Sequence, residues 1–243
     1  SDKIFTLKTL DDAIKIKKHI RQLDKKDKKA LIVGGGFIGL ELLEALIDND
    51  YDITLVEKMD QILSAFDYEI IEYVENYLKD KDISILKEEQ LSDIYDEDEV
   101  VKCVDINNKI SEYDLVFMGI GVRPQTKLAS DAGIDISDTG AIKTDKTLKT
   151  NIKDIYAAGD CIECRNYVSG KKQLYYLANI ASRQGRSAAL NICGEKVKFD
   201  GALPSSIIKI LDIAVSKTGL SIKDCKKLGI NFDIIEGHFY THA

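Results

Sequence analysis

The 243 residues hold 34 basic and 41 acidic side chains, a formal charge of -7, and 44% of them are hydrophobic. That hydrophobic share suffices for a core in one large domain or two ordinary ones, while the acidic balance argues against nucleic acid or an anionic membrane as partner, since either needs a basic face. No apolar run is long enough to span a bilayer, and Ser1-Asp2-Lys3-Ile4-Phe5-Thr6 lacks the order of a signal peptide, so the cytoplasm is the expected location.

Residues 10–23 place Leu10, Ile14, Ile16, Ile20 and Leu23 mostly at helical spacing, with Thr9 and Asp11 as capping candidates, which predicts a first helix. The charged run DKKDKK at 24–29 reads as a solvated connector, with attraction of an anion as the alternative. Ala30-Leu31-Ile32-Val33 then ends in three glycines, and the apolar residues of FIGLELLEALIDND recur at helical period, giving strand, tight turn and helix. A second buried strand at 53–56, an amphipathic helix at 69–79 and a third strand at 83–86 follow. This alternation predicts an α/β fold with a parallel sheet and crossover helices.

From 91 to 118 the pattern changes to short alternating segments separated by the turn signals Asp96-Glu97-Asp98-Glu99 and Asn107-Asn108. Antiparallel hairpins are expected, a β-meander in place of one crossover helix, before Leu115-Val116-Phe117-Met118 returns to a buried strand. Beyond Gly119, residues 141–144 and 155–158 are strand-like, and a helix runs from about Leu177 to Ile192. A third region begins near 196–206, where Gly201 and Pro204 punctuate the chain.

Gly34-x-Gly36-x-x-Gly39 fits the dinucleotide-binding fingerprint: the first glycine allows the tight turn, the second lets a pyrophosphate approach the backbone, and the third lets helix pack on strand. The helix starting near Phe37 and Ile38 offers its free N–H groups and dipole to the phosphates. Glu57 ends the next strand, where an acid accepts hydrogen bonds from the adenosine ribose and repels the extra phosphate of NADP. NAD(H) is therefore the expected nucleotide, with NADP(H) less favoured; Lys58 softens the discrimination, and a merely solvated strand-end acid is the alternative for Glu57.

Two later segments extend the pattern: Gly119-Ile120-Gly121-Val122-Arg123-Pro124, and TDKTLKTNIKDIYAAGDC at 144–161. With the fingerprint and Glu41 they resemble the flavin-dependent pyridine nucleotide–disulfide oxidoreductases. The stretches 177–194 and 203–220 are similar to the coenzyme A disulfide reductase, NADH oxidase and NADH peroxidase branch of that family, and the resemblance covers nearly the whole chain. It implies the terminal helix of a first FAD segment at 1–27, a Rossmann-like NAD-binding domain with a β-meander at 28–118, a second part of the FAD domain at 119–194, and the start of an α+β interface (dimerisation) domain at 195–243.

The same resemblance implies FAD and NAD(H) as cofactors. Asp160, with Gly159 beside it, would bind the ribityl chain, and Leu177 and Ala178 would begin a helix whose backbone faces the flavin pyrimidine ring. Phe37 stands where such proteins carry an aromatic that covers the flavin, with core packing as the alternative. Glu41 would lie near the contact of nicotinamide and flavin, where a buried acid without a lysine partner is costly. Gly119 and Gly121 would pass close to the nicotinamide, with a plain interdomain crossover as the alternative.

The chain opens without Met and stops after Tyr240-Thr241-His242-Ala243, so the expectation is a piece of a longer protein. Neither a second glycine fingerprint nor a redox cysteine precedes residue 30. No catalytic residue is thus assigned in this chain beyond the possible Glu41, and the chain alone is expected to bind FAD poorly and catalyse little. The five cysteines are odd in number and scattered, as in a reduced protein. Cys161-x-x-Cys164 lacks a second pair or neighbouring histidine for a metal site, Cys103, Cys193 and Cys225 read as buried small residues, and His19, His238 and His242 stand isolated.

The expected function is transfer of hydride from NADH through flavin to a small-molecule acceptor such as coenzyme A disulfide or a persulfide, in a homodimer when full length. Reduction of dioxygen or peroxide, and a catalytically incomplete NAD-binding module, are the alternatives. A flavin-independent dehydrogenase is disfavoured, because no catalytic His, Tyr-Lys or metal pattern accompanies the fingerprint.

Overall fold

The computed structural model describes residues 2–97 and 99–238; the expected turn residue Asp98, His242 and the chain end lie outside the described residues. The elements begin with β1 (Ile4–Phe5), α1 (Leu10–Gln22), β2 (Lys28–Val33), α2 (Phe37–Ile47), β3 (Tyr51–Glu57), α3 (Tyr68–Lys79) and β4 (Ser84–Lys87). There follow β5 (Leu91–Asp96), β6 (Val101–Asp105), β7 (Ile110–Tyr113), β8 (Leu115–Met118) and α4 (Lys127–Asp131). The last are β9 (Cys164–Arg165), β10 (Lys172–Gln173), α5 (Ala178–Ile192), β11 (Ser205–Ile210), β12 (Ile213–Thr218) and α6 (Ile222–Leu228). Two compact units result, one of residues 1–124 with 205–217, the other of 125–204 with 218–243.

The first unit is built on a five-stranded parallel sheet in the order β4-β3-β2-β8-β1. Successive side chains of a strand point to opposite faces. Ala30, Ile32, Ile53, Leu55, Leu115 and Phe117 accordingly bury on one face among α1, α2 and α3, while Leu31, Val56 and Val116 bury on the other against Val101 and Cys103. That second cover is the antiparallel sheet β5-β6-β7, the expected meander. The hairpin of β11 and β12 adds Ile208, Ile210 and Val215 to the helical side of the core. No helix among the described residues is long and apolar enough to cross a membrane.

Several expectations need correction. In α1 only Ile16 and Ile20 are buried; Leu10 and Ile14 lie off the face they define and are exposed. Asp12, not Asp11, closes the capping box with Thr9, because a box requires the acid three residues after the cap. The charged run is not a plain connector: Lys28 and Lys29 open β2, and the Lys25 ammonium is 2.7 Å from the carboxylate of buried Asp114. The other oxygen of Asp114 accepts the Lys29 N–H at 2.8 Å, clasping the entry of β2 to that of β8.

In the second unit, 141–144 and 155–158 form no strands. Ile142 makes single bridges to Ile136 and Ile162, and Lys149 bridges Tyr156. The bonds of the Ile136 bridge, Ser137 N–H to Ala141 O at 2.8 Å and Lys143 N–H to Asp135 O at 2.9 Å, are not continued by a neighbouring rung, so the pairing stays at one residue and no ladder forms. α5 organises the unit by burying Ile180, Gln184, Ala188 and Asn191, spaced along one face. The Asn191 amide donates to Thr147 O and Val197 O at 2.9 and 2.8 Å and accepts from Val197 N–H at 2.9 Å, tying two loops to the helix end.

The Asp114 clasp yields a stability prediction. Asp114→Ala leaves the Lys29 N–H without its acceptor and should cost about 1–3 kcal/mol, whereas Lys25→Ala, on the half-exposed side of the pair, should cost less than about 1 kcal/mol. Urea unfolding followed by far-ultraviolet circular dichroism checks the order, and equal losses would show that the ion pair, not the backbone clasp, carries the effect.

Candidate functional site

The turn after β2 is shaped by backbone contact. Gly34 N–H donates to Val56 O at 2.8 Å and Gly119 N–H to Val33 O at 2.7 Å, so the ends of β2, β3 and β8 meet there. Gly34 has a φ of 105°, and a Cβ on it would lie 2.4 Å from the Gly119 carbonyl oxygen. A Cβ on Gly39 would lie 2.3 Å from the Gly34 oxygen, so this glycine is what seats α2 against the turn. Gly36 differs: its φ is −83°, and a Cβ there would meet nothing within 4 Å. Its neighbours leave room on the side where α2 begins, and α2 has neither a side-chain cap nor an acid in its first turn. Its first N–H groups and positive dipole end are thus available to an anion. β2 is also the switch point of the sheet, with β3 and β4 on one side and β8 and β1 on the other, where open α/β sheets take their ligands.

Glu57, half-buried at the end of β3, is fixed by two backbone donors: Gly35 N–H reaches Oε2 at 2.7 Å and Met59 N–H reaches Oε1 at 2.8 Å. A carboxylate has about four lone-pair positions, so it retains acceptors for a ribose diol. Glu57 is therefore a positioned acid rather than a solvated strand end, and the two donors were invisible in the sequence because they are main-chain groups.

Phe37 is partly buried against the helical core, its ring 5.9 Å from that of Phe66. Ile38 is at the margin of exposure at 36%, and Glu41 is exposed on α2, so the desolvation cost anticipated for it does not arise in this chain. Gly121 has open space around it, in a loop whose Ile120 and Val122 side chains are exposed.

The second unit gathers Gly159, Asp160, Leu177 and Ala178. Gly159 N–H donates to Gln184 Oε1 at 2.8 Å, and Gln184 is buried. Sequence reasoning missed Gln184, although a glutamine in register with Ile180 and Ala188 on the buried face of a helix was a usable signal. Asp160 is exposed in the turn that follows, Leu177 is the N-cap of α5 without a side-chain bond, and Ala178 is exposed in the first turn. Partial burial, and secondly the charge of Asp160, push the Tyr176 phenol upward, which adds Tyr176 to this end of α5.

The cysteines take no part in either constellation. All five are free thiols. Burial raises the thiols of Cys161 and Cys164, and Cys103 is pushed up to about 11, against the thiolate that redox or metal chemistry requires. Cys193 is exposed and Cys225 half-buried, which corrects the expectation that both are core residues; Cys193 is the C-cap of α5, and Cys225 lies on α6, none of whose residues is buried. No group of three or more potential metal ligands occurs among the described residues.

A parallel sheet with a glycine turn at its switch point and an acid closing the neighbouring strand defines a dinucleotide-binding protein of the Rossmann type. The pyridine nucleotide-disulphide oxidoreductase family model matches residues 1–185, and the chain belongs to that family. It is 33% identical over 229 residues to a CoA-dependent NAD(P)H sulfur oxidoreductase of Pyrococcus abyssi, covering 93% of this chain and 50% of the relative. It is 36% identical over 221 residues to an NADH oxidase of Methanocaldococcus jannaschii, covering 90% and 48%. An NAD-dependent persulfide reductase from A. fulgidus superposes with a TM-score of 0.86 at 34% identity, covering 93% of this chain and 41% of that one. The chain thus spans about half the length of the curated relatives it matches.

The glycines and the thiols each give a measurable expectation. Gly36→Ala should leave the melting temperature unchanged yet weaken NADH binding about tenfold or more, while Gly39→Ala should destabilise by about 1–3 kcal/mol through overpacking; thermal melts beside calorimetric titrations separate the two. Iodoacetamide at neutral pH should label Cys193 well before Cys161 and Cys164, and Cys103 only as the pH approaches 11, since its thiol stays protonated below that. Peptide mapping of the alkylated sites reads the order.

Proposed function

We propose that this protein takes part in NADH-dependent reduction of a disulfide or persulfide acceptor such as coenzyme A disulfide, through a flavin. The observation that carries the reading is the glycine turn itself: free space beside Gly36, an uncapped α2 and a Glu57 carboxylate already oriented by Gly35 and Met59. Those residues fit the ADP half of a nicotinamide dinucleotide, with α2 receiving the pyrophosphate and Glu57 the ribose hydroxyls. The names of the relatives, a CoA-dependent sulfur oxidoreductase and a persulfide reductase, support the acceptor class. The NADH oxidase supports dioxygen as the second reading.

Asp160, exposed beside Gly159, and the open N-terminus of α5 at Leu177 and Ala178 fit a flavin's polyol chain and ring edge. The nicotinamide and flavin would supply the hydride chemistry, and this chain's residues would bind and orient them. Phe37 and Gly121 would border the nicotinamide end, with Glu41 as the nearby acid. The division into a dinucleotide-binding domain at 28–118, part of a flavin domain at 119–194 with 1–27, and the start of an interface domain at 195–243 belongs to the same proposal. So do a homodimeric assembly and a cytoplasmic location, both resting on the family resemblance.

Calorimetric titration of the chain with NADH tests the reading. One site per chain is expected, weakened at least about tenfold by Glu57→Ala, and FAD binding, weak in this chain, should fall further in Asp160→Ala as read by flavin fluorescence. Absence of NADH binding at millimolar concentration would sink the proposal. NADH oxidation with added FAD, offered coenzyme A disulfide or dioxygen in turn, separates the two acceptors.

A further inference from the structure

Beside the ribose acid the sheet places a cation that is held elsewhere. Glu57 of β3 and Lys87 of β4 are register partners in the parallel ladder, so their side chains leave the same face at the carboxyl end of strands about 4.8 Å apart. The Lys87 ammonium nevertheless lies 2.6 Å from Glu75 Oε2, with the two side chains only 30% and 16% exposed. Glu75 belongs to α3, and its other oxygen accepts the Ile62 N–H at 3.5 Å, while Ile62 packs beneath Gly35 of the glycine turn. Hydrogen bonding to Glu75 raises the Lys87 ammonium above the ordinary lysine range, with the charges of Tyr68 and Asp60 adding to it. Glu57 is oriented by its two backbone donors and keeps acceptor positions open.

We propose that the Glu75–Lys87 pair determines nucleotide specificity: by engaging Lys87, Glu75 withholds from an adenosine 2′-phosphate the ammonium that would bind it, and Glu57 is left to select the 2′-hydroxyl of NAD(H). The inference rests on the reading of the glycine turn and Glu57 as a dinucleotide site. A 2′-phosphate placed against Glu57 meets a like charge, and only a cation on the same side can offset that repulsion. Lys58 is exposed and contributes equally whatever Lys87 does. Lys87 is the cation whose availability another residue controls.

The test measures dissociation constants of NAD+ and NADP+ by calorimetry for the unmodified chain, Glu75→Gln, Lys87→Met and the double variant. Accepting the Ile62 N–H requires an oxygen but no charge, so the amide introduced by Glu75→Gln keeps that bond while freeing the lysine. The unmodified chain should prefer NAD+, and Glu75→Gln should narrow the preference about tenfold, which is about 1.4 kcal/mol. Lys87→Met alone should leave the preference within about twofold, and the double variant should restore it. An unchanged preference in Glu75→Gln, a narrowing that persists in the double variant, or a shift caused by Lys87→Met alone overturns the proposal. If Glu75→Gln shows no cooperative melt, the Lys87→Met comparison decides, because a withheld ammonium contributes nothing to the preference. If the unmodified chain binds neither nucleotide, the dinucleotide reading itself falls; NAD+ binding with an insensitive preference removes only the specificity role.

Discussion

The close approach of three strand ends controls the dinucleotide site. Gly34 N–H donates to Val56 O and Gly119 N–H to Val33 O, and the Gly119 carbonyl sits where any side chain on Gly34 would have to go. Burying main-chain polar groups is tolerable only when each finds a partner, and here the partners are the strands themselves. The turn therefore cannot relax outward without breaking the sheet's own bonds. Its geometry is inherited from the parallel ladder, and the start of α2 is aimed by that geometry rather than by a cap.

Around that fixed point the two faces of the sheet have different work. The helical face carries the acid and the cation of the specificity proposal, because Glu57 and Lys87 share it and α3 crosses above. The opposite face is sealed by the meander, whose Val101 and Cys103 replace the apolar stripe that a crossover helix would have supplied. In the second unit α5 has the corresponding organising part, but through amides: Gln184 holds the Gly159 turn and Asn191 the loops at the other end. Polar groups on a buried helix face are costly unless satisfied, and these bond main-chain groups that no strand ladder serves.

Much of this was legible in the residues. The apolar runs of β2, β3 and β8 and the helical periods of α2, α3 and α5 announced themselves because buried parallel strands and amphipathic helices leave strong patterns. The expected strands at 141–144 and 155–158 failed because an apolar run can meet its neighbours at single residues without the pairing extending into a ladder. The exposure of Leu10 and Ile14 was unreadable for a related reason: helical spacing tells which residues share a face, not which face meets the core. Asp114 and Lys25 lie far apart in sequence, and nothing local announced their clasp.

The dinucleotide fingerprint, the acid at the end of the second Rossmann strand and the family are all legible in the residues, since each is written in short segments whose spacing chemistry constrains. Which glycine seats the helix and which leaves room, the hold of main-chain donors on Glu57, and the pairing of Lys87 with Glu75 came from folding alone. Those are contacts between segments brought together by the sheet, and register across strands is a property of the pairing rather than of any one strand.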